Sequence, residues 1–462
     1  MISEKIINRI LEAATDAGAD FAEVFAENKY NTTISMNNNS IDNGVVSRDF
    51  GIGIRVFFGT NSAYTYTSDL DEEKLIKLTK NICASYKNEK NIVIPDRKIL
   101  TGIEKSIITA EKHFSKIDYA RKVDLMKAIV SSGRNYDDAI SRMHVNYLDQ
   151  EQKVIIANTE GLYKEDDRYK TRFLISAFAQ KDGDTRTGYV GPGAMRGFEY
   201  YDNFDVDHYA HEAARSAMAM VGADYCKAGQ MSVIIENGFG GLMVHEACGH
   251  SLEACRIANN NSEFCGKVGQ KVASDLVTLV DDGSIENEWG SLNIDDEGSK
   301  TQKNVLIEKG VLKTFMTDKL SAKKLGTEST GSGRRESYKY APTSRMTNTY
   351  IDKGESTRDE IFSNTEHGLY VKVINAGSVN SVTGEFNFSV LESYMVENGK
   401  ITKPVKGATL IGKGGEVLKR IDMVGDNLKI GQGYCFAESG ALYIGAGQPT
   451  VRISNMTVGG RD

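Results

Sequence analysis

Over the first eighteen residues apolar positions recur at helical spacing: Ile6, Ile7, Ile10, Leu11 and Ala14 share a face, Ser3 stands where an N-cap belongs, and Gly18 ends the pattern. This predicts a short amphipathic helix over 3–17. From Phe21 to about Tyr66 the period drops to two, in β-branched stretches separated by Asn, Asp and Gly turns, which predicts an antiparallel sheet. Helical spacing returns at about 70–87 and 117–133, and strands resume at 142–149, 153–161 and 169–180. Residues 183–197 are glycine-rich and lack an apolar period, so a mobile loop of the kind that covers a site is expected there. A helical window at about 205–222 leads into a strand at 231–237; after one more helix, short β segments broken by turns run to the end. The expected class is α+β, in two domains. Residues 1–225 would form an N-terminal domain of helices with an antiparallel sheet, and residues 226–462 a β-rich C-terminal domain carrying a motif helix.

Composition narrows the picture. A chain of 462 residues can bury a large core without disulfides. Its net charge of -7 is the wrong sign for coating nucleic acid. Six cysteines, at 83, 226, 248, 255, 265 and 435, show no paired spacing and read as reduced thiols. Charges within the first five residues argue against a secretory leader, and no apolar run approaches the roughly 18 residues of a membrane span, so a soluble cytoplasmic protein is expected.

The stretch that carries chemistry is FGGLMVHEACGHSLEAC, residues 239–255. A metal hydrolase needs neutral imidazoles as ligands, an open position for water, and a carboxylate near enough to take that water's proton. His245 and His250 offer the imidazoles, and Glu246 stands beside the first of them as the base does in zincins. The spacing is HExxxH, however, and five residues on a regular helix turn about 500°, which leaves the two side chains about 140° apart. Either a π-bulge adds a residue to one turn or the helix stops before His250, and Gly249 is placed to permit either distortion. A catalytic zinc takes three protein ligands, so a third must be found: Glu253, Cys248 and Cys255 are nearby, and Cys435 lies in a distant glycine-rich stretch. Arg334, Arg335 and Tyr338, in GSGRRESY, are candidates for stabilising an oxyanion, with ordinary salt bridges an equal reading for the arginines.

Other patterns read as structural. His211-Glu212 sits in a surface-helix window without a following His. GATLIGKG at 407–414 ends in Gly414 where a phosphate loop needs Ser or Thr, and reads as a turn or bulge. IDDEG at 294–298 lacks the alternating acids of a calcium loop and reads as a turn, and YKEDDRYK at 163–170 as a solvated face.

Several long stretches in order give the chain a resemblance to the TldD/PmbA family of metalloproteases, and to its TldD branch rather than the PmbA (TldE) branch, which lacks the metal motif. They are HEACGHSLEA (245–254), GKVGQKVASDLVTLVDDGS (266–284), GSGRRESY (331–338), SRMTNTYI (344–351), ENGKITKPVKGATLIG (397–412) and GAGQPTVRISNMTVGG (445–460). The resemblance implies a zinc-dependent peptidase with His245, His250 and Cys435 as metal ligands and Glu246 as general base. It further implies a dimer, with itself or with a PmbA/TldE-like paralogue, enclosing a cavity that admits unfolded or flexible peptides. The alternative it leaves is a non-catalytic, metal-stabilised peptide-binding subunit working with such a partner; softness of the donors alone does not separate zinc from iron. This chain departs from the family in two places. Phe436 and Ala437 follow Cys435 where Gly-Lys is usual, and Cys255 stands where Asp is frequent.

Overall fold

The computed structural model describes residues 1–86, 100–101, 106–380 and 382–461. Helix α1 (Glu4–Asp16) starts where the Ser3 side chain accepts from the Ile6 N–H, as the spacing predicts, and buries Ile7, Ile10 and Leu11. Strands β1 (Phe21–Asn37), β2 (Ser40–Phe58) and β3 (Asn61–Thr67) form an antiparallel meander. Helix α2 (Glu72–Ala84) follows, capped by Asp71; residue 87 of the predicted window lies outside the described residues. After the two-residue strand β4 (Leu100–Thr101) come helix α3 (Tyr119–Arg134) and the long hairpin β5 (Ile140–Asn158) and β6 (Leu162–Lys181). The sheet order is β3-β2-β1-β5-β6-β4, all antiparallel except that β4 runs parallel to β6.

Residues 183–197 correct the loop expectation. Asp184–Val190 form β7, paired antiparallel with β6, and Gly193–Ala194 form β8 on the same strand. The glycines were misleading because one of them serves packing: a Cβ on Gly188 would stand 1.9 Å from the Ala213 carbonyl oxygen of helix α4 (Val206–Met220). All four helices lie on one face of this sheet. Val24, Ala26 and Ile54 meet α1 and α2, while Ile34, Tyr147 and Phe173 meet α3 and α4.

The second half of the chain is built of two larger sheets and a two-stranded pair, Gly333–Arg334 with Thr343–Ser344. In one, strands His367–Val379, Gly229–Ile235, Val451–Gly459, Thr409–Lys413 and Glu385–Glu397 follow in order, and the first also pairs with the last, so the path closes on itself like a barrel. The other sheet ends in the hairpin Lys429–Ala437 and Gly440–Gln448. Buried Val233, Met243, Ala247, Phe388 and Ile453 belong to one large core between them. The α+β class is thus as expected. The segment 407–414, read as a turn or bulge, is instead strand Thr409–Lys413 running into a single helical turn, Gly414–Val417. Among the described residues no helix is long and apolar enough to cross a membrane.

The helix-free face of the first sheet meets the second half through buried charges. Arg55 Nη1 lies 2.5 Å from Glu297, Arg168 Nη1 2.5 Å from Asp296, and Arg335 pairs with Glu23. This corrects the reading of 163–170 as a solvated face. Alternation along β6 turns Asp166 and Arg168 inward, and only Glu165 and Asp167 face water. Residues 294–298 do form a turn, closed by Gly298 N–H on the Asp295 carbonyl, but Asp295, Asp296 and Glu297 are all buried. Burial raises the Asp295 carboxyl and, against the pull of Arg55, that of Glu297.

Candidate metal centre

The motif sits where a helix loses its regular winding. After one α turn, Leu242–Val244, residues His245–Gly249 wind as a π turn, in which the His250 N–H donates to the His245 carbonyl, and His250–Leu252 tighten to 3₁₀. Closure from i to i+5 returns residues five apart to one face, so the wide turn does for HExxxH what an α-helix does for HExxH. Gly249 contributes differently from the expectation. Its backbone is ordinarily helical, at φ −54° and ψ −53°, and what the residue supplies is room, because a Cβ would stand 2.3 Å from the Met346 sulfur.

Among the described residues, ligand atoms of His245, His250 and Cys435 all lie within 4.8 Å of one another, and all three residues are buried. The rings of His245 and His250 are 5.1 Å apart and nearly perpendicular, and Cys435 Sγ is 3.2 Å from His250 Nε2. On its other side His250 Nδ1 meets Glu253 Oε1 at 3.1 Å, which leaves Nε2 turned toward the sulfur. Glu246 Oε2 is 3.8 Å from His250 Nε2, and its side chain keeps 18% of its exposure, so it borders the cluster and reaches solvent.

Burial, with His250 and Arg345 nearby, holds His245 well below the usual imidazole range, so it is neutral. Burial also opposes a charge on His250, but the Glu253 carboxylate and the Cys435 sulfur outweigh it and raise that imidazole. Glu246 is raised, chiefly by burial.

The other candidates are placed elsewhere. Cys248 donates to the Val244 carbonyl at 3.2 Å inside the motif turn, and Cys255 faces the Ser344 carbonyl at 3.8 Å; burial pushes both thiols up. Glu253 supports His250. The proposed oxyanion groups are engaged in structure: Arg334 donates to the Met346 and Tyr443 carbonyls, Arg335 to Glu23, and the Tyr338 ring packs with Phe25 and Ile294.

A residue not singled out from the sequence is Arg345, within SRMTNTYI. Its guanidinium donates to the Cys435 carbonyl at 3.0 Å and to Sγ at 3.2 Å, with Nε 3.6 Å from Glu253. A lone Arg ninety positions before the cysteine carries no local signal of this.

The donor set fits a metal. Among the described residues neither ring nitrogen of buried His245 has a hydrogen-bond partner, an arrangement that is costly unless one of them meets a ligand. Two imidazoles and a sulfur are also the donors that zinc takes.

Comparison with known proteins agrees in kind. Profiles for the PmbA/TldA metallopeptidase domain 1, central domain and C-terminal domain match residues 22–85, 112–221 and 228–460. A metalloprotease TldD homolog of Buchnera aphidicola (from Acyrthosiphon pisum) is 34% identical over 99% of this chain and 96% of its own length, and one from Haemophilus influenzae 33% over 99% and 97%. A protein of Saccharolobus solfataricus named zinc metalloprotease TldD homolog is 27% identical over 98% and 99%. Among solved structures, a Thermotoga maritima protein described as a candidate modulator of a DNA gyrase superposes with TM-score 0.80 at 22% identity, covering 99% of this chain and 100% of its own. TldE from Thermococcus kodakarensis does so with TM-score 0.79 at 19%, covering 98% and 99%. At those identities the likeness is one of fold.

Proposed function

Because the chain belongs to the PmbA/TldD family of metallopeptidases, we propose that His245, His250 and Cys435 hold one zinc ion and that Glu246 serves as the general base in hydrolysis of flexible or unfolded peptides. The observation that carries this reading is His245: fully buried, neutral, unbonded at both nitrogens, and within a ligand's reach of His250 and Cys435.

Zinc bound by such a set supplies Lewis acidity to the reaction. The chain's own residues supply the rest. Glu253 accepts a hydrogen bond from the Nδ1–H of His250 and thereby aims Nε2, as carboxylate partners of metal-binding histidines do. Arg345 holds the Cys435 strand end and places a fixed positive charge beside the sulfur. Glu246, raised by burial, is a better base than an exposed carboxylate; it accepts the proton of the attacking water and returns it to the departing amine. An extended peptide would be held largely through its backbone, with little preference for sequence.

The reading includes two domains meeting near residue 225, supported by the end of the first sheet's strands at Ala194 and the start of the C-terminal profile match at 228. It also includes a cytoplasmic dimer, formed with a second copy or with a PmbA/TldE-like paralogue.

Metal analysis of the purified protein tests the ligands: about one zinc per chain is expected, lost in Cys435→Ala. Metal retained by that variant would remove Cys435 from the site. Glu246→Gln is expected to keep its metal and lose about 10²–10⁴-fold in peptide cleavage, the usual contribution of a general base. An unchanged rate would end the assignment of Glu246.

A further inference from the structure

On its helix-free face the first sheet is apolar toward one end and polar toward the other. Phe25, Val154, Ile156 and Leu162 close against Ile294 and Tyr338. Past Glu27, which accepts a 2.7 Å hydrogen bond from the Gln152 amide, the same face continues in two cross-strand rows, Asn31–Gln150–Lys170 and Lys29–Gln152–Arg168. A buried sheet face lined with amides and cations is unusual, because each such group must be matched or hydrated. The rows floor a cavity of about 500 Å³ whose wall includes Tyr434 and Tyr443 of the Lys429–Gln448 hairpin. Tyr434 precedes Cys435, and successive side chains of a strand alternate, so the cavity and the metal centre occupy opposite faces of that hairpin.

The charges of the cavity are nearly all engaged. Arg168 is held by Asp166 and Asp296, Arg335 by Glu23, and Arg48 by the Asn28 side-chain oxygen at 2.8 Å. Lys29 lies 3.8 Å from Glu27, Asp49 meets Lys339 at 3.3 Å, and Glu336 accepts the Ala441 N–H at 2.7 Å. Lys170 is the exception: its Nζ sits 3.5 Å from the centre of the Tyr443 ring, and among the described residues no carboxylate lies within ion-pair distance. Burial, with Lys29, Arg334 and Arg168 close by and Glu27 opposing, disfavours its charge. A positive site of this kind is relieved by an anion.

We infer that this cavity binds a small peptide-like carboxylate, with the carboxylate on Lys170 and its neighbouring amide on the side chains of Gln150 and Gln152. Because its charge is disfavoured without a partner, Lys170 would take up a proton from solvent as the carboxylate binds, and the one ammonium so formed matches a single negative charge better than a phosphate dianion. The primary amides match a peptide group, and the tyrosine rings give an apolar wall for a short side chain. The C-terminal end of a short peptide and an N-acylated amino acid share this chemistry. That peptides are the source rests on the proposed function; the site itself does not.

The test is calorimetric titration of full-length Glu246→Gln protein with N-acetyl-Ala-Ala, with its C-terminal amide, and with inorganic phosphate, the solutions then being assayed for cleavage products. The acid is expected to bind about tenfold or more tighter than the amide. Lys170→Met should erase the difference, and Lys170→Arg should keep it. Equal binding of acid and amide, no binding of either at millimolar concentration, or phosphate binding as tightly as the acid would each overturn the inference. Should Lys170→Met fail to fold, the acid-to-amide ratio in the parent protein and in Lys170→Arg decides. Cleavage products appearing with Glu246→Gln would count against the proposed base and leave the cavity result standing.

Discussion

Two regions of this protein bury polar side chains almost completely, and they treat them in opposite ways. In the seam between the first sheet and the second half, Arg55, Arg168 and Arg335 each face a carboxylate, although single atoms such as Glu23 Oε2 and Arg55 Nε stay unbonded. At the candidate metal centre, His245 is just as deep and among the described residues has no partner at either nitrogen. Buried charge that is matched inside the chain holds structure together. Buried polarity left unmatched beside convergent donors marks a place where something else must bind.

The comparison breaks most visibly at the seam. Glu23→Gln leaves the Arg335 guanidinium buried without its counter-charge, and loss of one partner of such a pair costs about 3–5 kcal/mol. Urea denaturation of metal-loaded protein measures this, and zinc content should be unchanged in the folded variant. A loss below about 1 kcal/mol, the range of surface ion pairs, would put the seam in the same class as those. At the metal centre the effects should be inverted. Glu253→Gln keeps an acceptor for His250 Nδ1 but removes its charge, and zinc affinity measured by chelator competition should fall roughly 10–100-fold with little change in stability. Undiminished affinity would show that Glu253 does not support the ligand.

The smallest effect is expected where matched charge is partly wet. On α4, Glu212 pairs with Arg215 of the same helix at 2.8 Å and reaches Lys372 of strand His367–Val379 at 3.2 Å. Burial opposes its ionisation, but these two cations bring its carboxyl down to about 2. A folded value below the unfolded one means the contribution is present at neutral pH and is lost as pH falls from the ordinary carboxylate range to about 2. The difference in Tm between the protein and Glu212→Gln should therefore be greatest above about pH 5 and close toward pH 2. A difference independent of pH would exclude the ion pair as its cause.

Much of the fold was legible because period and turn chemistry are local. Ser3, Asp71 and Asp205 cap helices where the pattern begins, and β1, β5 and β6 follow the alternation of their residues. The π turn was legible in part: helical arithmetic forbids His245 and His250 from sharing a face on a regular helix, which left a π-bulge or an early helix end as the alternatives. What escaped was long-range. Nothing in YKEDDRYK shows that Asp296, 128 positions after Arg168, waits on its inner side. Nothing beside Arg345 points to Cys435, and the glycines of 183–197 look like flexibility when one of them is a contact with α4. The arginines of GSGRRESY stayed open between chemistry and ordinary salt bridges because isolated sequence cannot show which carbonyls and carboxylates occupy them.

The π turn has a consequence for how this stretch can vary. Because it holds one residue more than the α turn it replaces, His245 and His250 are brought together by count. Removing Ala247 would return the segment to continuous α-helix with the histidines four apart, and would at the same time draw Gly249 from its place under Met346. Exchanges of residue inside the turn are a matter of fit, whereas a single insertion or deletion re-threads everything after it. An alignment that opens a gap between His245 and His250 therefore describes a different site.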